Sequence, residues 1–465
     1  MARFLIAATA APGHVLPLLV VAEDLVGRGH QVVVTTASLF RERAEATGAG
    51  FAPFPPEIDL DYRRLDERFP QRRQLAPGPA QLCFGLKHLF ADAIPHQSRV
   101  IGDILRDFPA DAIIVDTMFC GTFPLLLGPA EDRVPIISLG ITALALSSVD
   151  TAFFGAAAPP PVTPEERARN AEMNRGLQQM LFGSVQEYFN ATLLKCGARP
   201  LPNFLFDAMI TLPDLYLQLT AEAFEYPRSD LPETVLFVGP LPPPRSGAFQ
   251  PPPWWDDLDA TGPLVLVTQG TLANEDLTQL IGPALTGLAD EPVTVIVTTG
   301  GRPLEAIPAP LPANARAAAF LPFDRLLPKV SVMVTNGGYG AVNQALSLGV
   351  PLVVAADSEE KPEIAARVAW SGAGVNLRTG RPSPTQIREA VRAVLTKPQY
   401  RQRAQDLRAA FARHRALDEI AAVLESLAAF GGATARTGAE RIRTGRPRRR
   451  GAGGEASPAA GAPLA

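Results

Sequence analysis

The chain has 465 residues, 47% of them hydrophobic and 19% charged, which excludes an intrinsically disordered protein and leaves room for two or three domains of roughly 100 to 200 residues each. Its 43 Lys and Arg against 47 Asp and Glu give a net charge of -4, so no overall basic field recruits nucleic acid. Three cysteines, Cys83, Cys120 and Cys196, have no short spacing for a zinc knuckle, redox pair or disulfide framework, and the longest apolar runs fall short of the roughly 20 residues of a membrane span; a reducing, cytoplasmic setting is expected.

Met1 to Ala11, with one Arg, a short apolar run and small residues, has the outline of a secretory signal, but the residues that follow argue for a strand. Phe4 to Thr9 is an apolar run closed by Ala-Pro-Gly-His, after which Pro17 opens a stretch whose Leu18, Leu19, Ala22, Leu25 and Val26 recur at helical spacing. Gly27 and Gly29 stop that helix, and His30 to Thr35 supplies a β-branched strand, completing a βαβ unit. A further strand, Ala112 to Val115, ends in Asp116. From about Asp150 to Leu215 the chain is helical and aromatic, an insertion suited to a pocket wall.

Prolines then cluster from Pro240 to Pro253 and mark a linker over residues 239–262. Strands are expected at Leu264 to Thr268, Val293 to Thr299, Ala317 to Phe320, Val332 to Thr335 and Leu352 to Ala356, giving a second Rossmann-like unit over 263–414 beside the first over 1–238. Helical patterns run through Thr385 to Thr396, Tyr400 to His414 and Asp418 to Ala429; residues 415–430 form a last helix that is expected to pack back on the first unit. Residues 431–465 read as a disordered Gly, Ala, Pro and Arg tail. The tail carries seven Arg and two Glu, a net of +5, so the remaining chain carries -9. An acidic body that binds an anion must do so with local loops and helix ends.

In open α/β sheets ligands bind beyond the carboxyl ends of the strands, which places the Gly13-His14 loop and Asp116 on one functional edge. In the second unit, Thr335-Asn-Gly-Gly-Tyr-Gly340 follows a strand and opens a helix Ala341 to Leu348, so that backbone N–H groups and the helix dipole can approach a phosphate; a tight strand-to-helix turn is the plainer use of those glycines. Thr268-Gln-Gly-Thr271 follows the first strand of that unit and adds Gly270 and Thr271 to the same side.

These elements resemble the family 1 glycosyltransferases of the GT-B fold, the group that includes macrolide and secondary-metabolite enzymes. The resemblance runs from Arg3 to about Ala429. Gly13-His-Val-Leu-Pro17 is similar to the family's Gly-His-x-x-Pro opening, and Phe320-Leu-Pro-Phe323 to its Trp-x-Pro-Gln element. Asn336-Gly-Gly-Tyr-Gly-Ala341 is similar to its His-x-Gly-x-x-Ser element, while Gly349-Val-Pro351 and the Glu360-Lys361 pair fall where the family has Gly-Val-Pro and Asp/Glu-Gln. The resemblance implies an α/β protein of two Rossmann-like domains facing across an interdomain cleft, and an inverting hexosyltransferase that uses a nucleotide diphosphate sugar, UDP-linked, as co-substrate with no cofactor and no metal. It implies His14 as base and Asp116 as its partner. The implied nucleotide-sugar residues are Gly270, Thr271, Phe320, Leu321, Asn336, Gly338, Gly340, Ala341, Gln344, Glu360 and Lys361.

The chemistry of the residues agrees with that mapping. A neutral imidazole suits removal of a hydroxyl proton near pH 7, and a carboxylate fixes its tautomer. Donors preorganised around the departing diphosphate stabilise the charge that develops there. Asn336, Ala341, Gln344, Phe323 and Lys361 depart from the family's usual His, Ser, Glu, Gln and Gln, which weakens phosphate and ribose contacts and brings a cation to the sugar side. A flat or greasy acceptor such as a phenol, polyketide or terpenoid is expected against Met118, Phe119, Phe153, Phe154 and Phe182, unless those residues are packing. A nucleotide-sugar epimerase and a noncatalytic nucleotide-sugar binder are the alternative functions.

Overall fold

The computed structural model of the chain describes residues 1–75, 78–243, 249–259, 262–271, 274–308 and 310–430. The tail 431–465 and part of the linker therefore lie outside the described residues. The first half of the chain builds a seven-stranded sheet from β1 (Arg3–Ala7), β2 (Gln31–Thr36), β3 (Gly50–Pro53), β4 (Ala112–Asp116), β5 (Ile136–Gly140), β6 (Leu215–Gln218) and β7 (Val235–Phe237), in the order β3-β2-β1-β4-β5-β6-β7. The second half builds a six-stranded sheet from β8 (Leu264–Thr268), β9 (Thr294–Thr298), β10 (Ala315–Ala318), β11 (Val332–Thr335), β12 (Leu352–Val354) and β13 (Gly374–Asn376), in the order β10-β9-β8-β11-β12-β13. Every strand pairing among the described residues is parallel.

Both faces of a parallel sheet are covered, which is why strands such as Ala-Ile-Ile-Val-Asp of β4 read as unbroken apolar runs. The pleat still sorts them. Leu264 and Leu266 of β8, Met333 of β11 and Leu352 and Val354 of β12 enter one core, whereas Val265, Val267, Val332, Val334 and Val353 enter the core on the opposite face. The first of these cores also takes in Ala143, Ala221 and Phe224 from the first half, so the two halves share apolar packing.

In each sheet the strand order reverses at its middle, between β1 and β4 and between β8 and β11. At such a switch point the connections leave in opposite directions and open a crevice at the carboxyl edge. His14 and Asp116 follow β1 and end β4, while Gln269-Gly270-Thr271 and Asn336-Gly337-Gly338 follow β8 and β11. These residues flank the two switch points, whereas Phe320 and Leu321 follow β10 and Glu360 and Lys361 follow β12.

Two expected boundaries move. The first helix is Pro12–Gly27, not a stretch opened by Pro17: Pro12 occupies the first turn, where its missing N–H costs nothing, and Pro17 lies inside the helix, one turn further on. His14 therefore stands in a helical first turn rather than a loop. The strand expected at Ala317 to Phe320 is β10, which ends at Ala318 and leaves Phe320 beyond the sheet. The aromatic insertion contains the Pro164–Lys195 helix, started by a reciprocal cap in which Thr163 Oγ1 accepts from Glu166 N at 3.2 Å and the Glu166 carboxylate accepts from Thr163 N at 3.2 Å. The Ala416–Phe430 helix places Ile420, Ala421, Val423, Leu424 and Leu427 in the core of the first half, with Arg28 held to Asp418 at 2.6 Å and His30 to Glu425 at 3.1 Å.

Candidate active site

Asp116 ends a buried strand, is itself fully buried, and has its carboxylate fully occupied. Its oxygens accept from Thr9 N at 2.7 Å, Thr9 Oγ1 at 3.1 Å and Met118 N at 3.0 Å, and Oδ1 meets His14 Nδ1 at 2.7 Å. An ionised carboxylate only accepts, so Nδ1 carries the proton and Nε2 is left with its lone pair. The His14 side chain is 23% exposed, enough for that nitrogen to meet a substrate. Burial pulls the His14 pKa down from 6.5, but the charge and hydrogen bond of Asp116, with Glu360 and Glu359 farther off, outweigh it and leave the pKa raised. Glu360 belongs to the second half, so charge from that half reaches the imidazole. Its own pKa is raised by burial and by Glu359.

The loops expected on the donor side meet each other directly. Asn336 Nδ2 donates to Gln269 O at 2.6 Å, tying the loop after β11 to the loop after β8. Gly270 and Gly337 have φ of +73° and +91°, and Gly338 caps the Tyr339–Ser347 helix, which begins two residues earlier than expected. In that first turn lie Gly340 and Ala341, ahead of Val342, whose N–H makes the first bond of the helix by donating to Gly338 O. Thr271 and Gly340 are exposed; Ala341, Gln344 and Glu360 are half-buried. Phe320 is 67% exposed, a free ring face, while Leu321 beside it is buried. Lys361 is buried, its ammonium paired with Glu359, and it lines a cavity with Gln269, Asn336, Asp357 and Ser358.

The expected acceptor wall is divided. Met118, Phe153 and Phe154 are half-buried, but Phe119 packs against Phe54, and Phe182 is edge-on to Phe204 and Phe206 in the core of the first half. Sequence reasoning missed Thr9, whose backbone and hydroxyl hold Asp116, although its place just after β1 and beside β4 was the available signal. Among the described residues no group of three or more His, Cys, Asp or Glu is placed to hold a metal ion. No helix among them is long and apolar enough to cross a membrane.

Two Rossmann-like units that share a core, with polar groups gathered at both switch points, have the GT-B architecture. Residues 284–427 match the family described as erythromycin biosynthesis protein CIII-like, C-terminal domain. The chain is 41% identical over 428 residues to 4'-demethylrebeccamycin synthase of Lentzea aerocolonigenes, covering 92% of this chain and 99% of that one. It is 37% identical over 436 residues to UDP-glycosyltransferase 2 of Phaeomoniella chlamydospora, covering 91% and 95%. The crystal structure of the glycotransferase of kitacinnamycin superposes with a TM-score of 0.70 at 21% identity, covering 92% of this chain and 98% of that one. The chain belongs to the UDP-glycosyltransferase family of GT-B glycosyltransferases.

Proposed function

We propose that the protein is an inverting glycosyltransferase that moves a hexose from a nucleotide diphosphate sugar, UDP-linked, to a hydroxyl of a small lipophilic secondary metabolite. The observation that carries this reading is the 2.7 Å contact of His14 with a buried, fully hydrogen-bonded Asp116 at the first switch point, within electrostatic reach of Glu360 on the donor side. Nε2 takes the acceptor proton as the acceptor oxygen attacks the anomeric carbon, and Asp116 stabilises the imidazolium that forms. The sugar to diphosphate bond breaks on the opposite face, which inverts the anomeric centre. The diphosphate gains charge as it leaves; the N–H groups of the Gly338–Ala341 turn and of the Gly270–Thr271 loop are the groups suited to receive it. Asn336 contributes by holding the two loops together through Gln269. The exposed Phe320 ring offers a face for the nucleobase. Relatives named as a synthase of 4'-demethylrebeccamycin and as a UDP-glycosyltransferase support the acceptor and donor classes. Three free cysteines accord with a cytoplasmic enzyme.

The test is nucleotide release from a panel of nucleotide sugars with and without phenolic and polyketide acceptors. Acceptor-dependent release is expected, and His14→Ala is expected to lower it by roughly 10²- to 10⁴-fold while nucleotide-sugar binding by calorimetry is retained. Release that is independent of acceptor, or unaffected in the variant, sinks the assignment.

A further inference from the structure

The Lys361–Ser371 helix starts at the donor-side cavity with Lys361 and, within its first turn, turns Glu363 toward the other half of the molecule. Glu363 is 4% exposed and holds a segment of the aromatic insertion by its backbone: Oε1 accepts from Gly155 N at 2.7 Å and from Ala157 N at 2.8 Å. The segment is held in an unusual shape, because Gly155 has φ of +109° and Ala157 has φ of +49°, a region that side-chain-bearing residues seldom adopt. The other oxygen of Glu363 accepts from Arg367 Nη1 at 2.9 Å, and Arg367 Nε donates to Glu225 Oε1 at 2.6 Å, so the carboxylate cannot turn away without breaking a buried pair. Phe153 and Phe154, the half-buried aromatics of the expected acceptor wall, sit immediately before Gly155. Phe153 packs on the core of the first half and Phe154 on that of the second.

We propose that Glu363 is a positioning residue for the acceptor: it suspends the Phe153–Ala157 wall from the same helix whose start faces the donor, and so sets acceptor affinity from the donor side of the cleft. This rests on the transferase reading. The physical ground is that a carboxylate accepting two backbone N–H groups fixes both peptide planes at once; the segment's own turn, with Ala156 N donating to Phe153 O at 2.9 Å, uses neither of those two N–H groups. Lys361 lines the cavity with Gln269 and Asn336 while Glu363 holds Gly155 and Ala157, so loss of Glu363 falls on acceptor binding first.

Two variants approach the contact from its two sides. Glu363→Gln weakens it from the helix. Gly155→Ala leaves every buried charge in place, and a Cβ there would meet only Phe153 at 3.9 Å, so its effect comes from the φ of +109° alone. Both are expected to raise the acceptor KM roughly tenfold, with donor KM and kcat changed less than about threefold. Both are also expected to speed amide hydrogen exchange at 151–158 in the ligand-free protein, with strand exchange unchanged. Unchanged exchange in Gly155→Ala overturns the suspension. Faster exchange with the acceptor KM unmoved, or donor and acceptor KM rising together, overturns the positioning role. A wild-type protein lacking acceptor-dependent release counts against the transferase reading instead, and the exchange comparison still decides whether Glu363 holds the segment.

Discussion

His14 sits under two opposed influences, and their balance sets a pH dependence. Burial lowers its pKa and Asp116 raises it by more, for a net position above 6.5. A base must be neutral to take a proton, so kcat/KM is expected to fall on the acid side with an apparent pKa above 6.5, measured as a pH profile with saturating donor. Asp116→Asn removes the charge that raises the pKa, and is expected to move that limb to lower pH while lowering kcat; a limb that stays in place would show that another group titrates. The stability linkage has the reverse sense. A histidine whose folded pKa is raised contributes stability that is fully present below the unfolded value near 6.5 and is lost as pH rises through the folded value. The neutral form proposed to act as the base is thus the form that holds Asp116 less tightly.

At the scale of elements, the proposed donor site depends on how closely the loops after β8 and β9 approach. Gly300 has φ of +66°, and a Cβ there would lie 1.9 Å from Gly270 O and 2.7 Å from Asn274 Nδ2. Asn274 in turn donates to Gly270 O at 3.0 Å and Thr299 O at 2.9 Å. Gly300→Ala must push the Gly270 loop aside, and the donor KM is expected to rise at least tenfold with the acceptor KM little changed. Initial-rate kinetics in both substrates check this; an unchanged donor KM would place the Gly270 loop outside the donor site.

Elements that were legible in the sequence are those with a local signal. β8 and β11 were bounded by their apolar runs, and His14 and Asp116 were marked by following or ending such runs. The strand Gly50–Pro53 carries Gly and Pro, and β13 is only Gly-Val-Asn, so neither has an alternation or a run to read. The start of the first helix was misjudged because Pro12 and Pro17 both suit a first turn, and only the fold decides between them. Glu225, Glu363 and Arg367 were invisible for a different reason: Arg367 lies 142 residues from Glu225, and a charged residue on a helix reads as solvated until its partner is located.

The whole molecule is joined by polar contacts that are themselves buried. Gln218 Nε2 donates to the Tyr339 hydroxyl at 2.6 Å and Thr220 Oγ1 to Asn343 Oδ1 at 2.6 Å, pinning the helix that follows the Asn336 loop to the first half. Glu225, Arg228, Glu363 and Arg367 pin the helix that follows Glu360. Burial pushes the Glu225 pKa up, but Arg367 and Arg228 outweigh it, and the net shift is downward. A carboxylate with a depressed folded pKa contributes stability present above its unfolded value and lost as pH falls through the folded one. Glu225→Gln leaves two guanidinium groups undercompensated at the centre of the molecule. It is expected to destabilise by about 3–5 kcal/mol in denaturant titration, and a loss under about 1 kcal/mol would mean that solvent reaches the network.

The Ala416–Phe430 helix has a consequence for the order of assembly. It lies at the end of the described chain, yet Ile420, Leu424 and Leu427 complete the core around β1 and β4. A ribosome delivers the β1–β7 sheet first, with the slot for those three side chains still open, and does not deliver the residues that fill it until the second sheet has also emerged. The half made first is therefore the half finished last, and its apolar slot has to stay out of contact with other chains throughout synthesis of the half that follows.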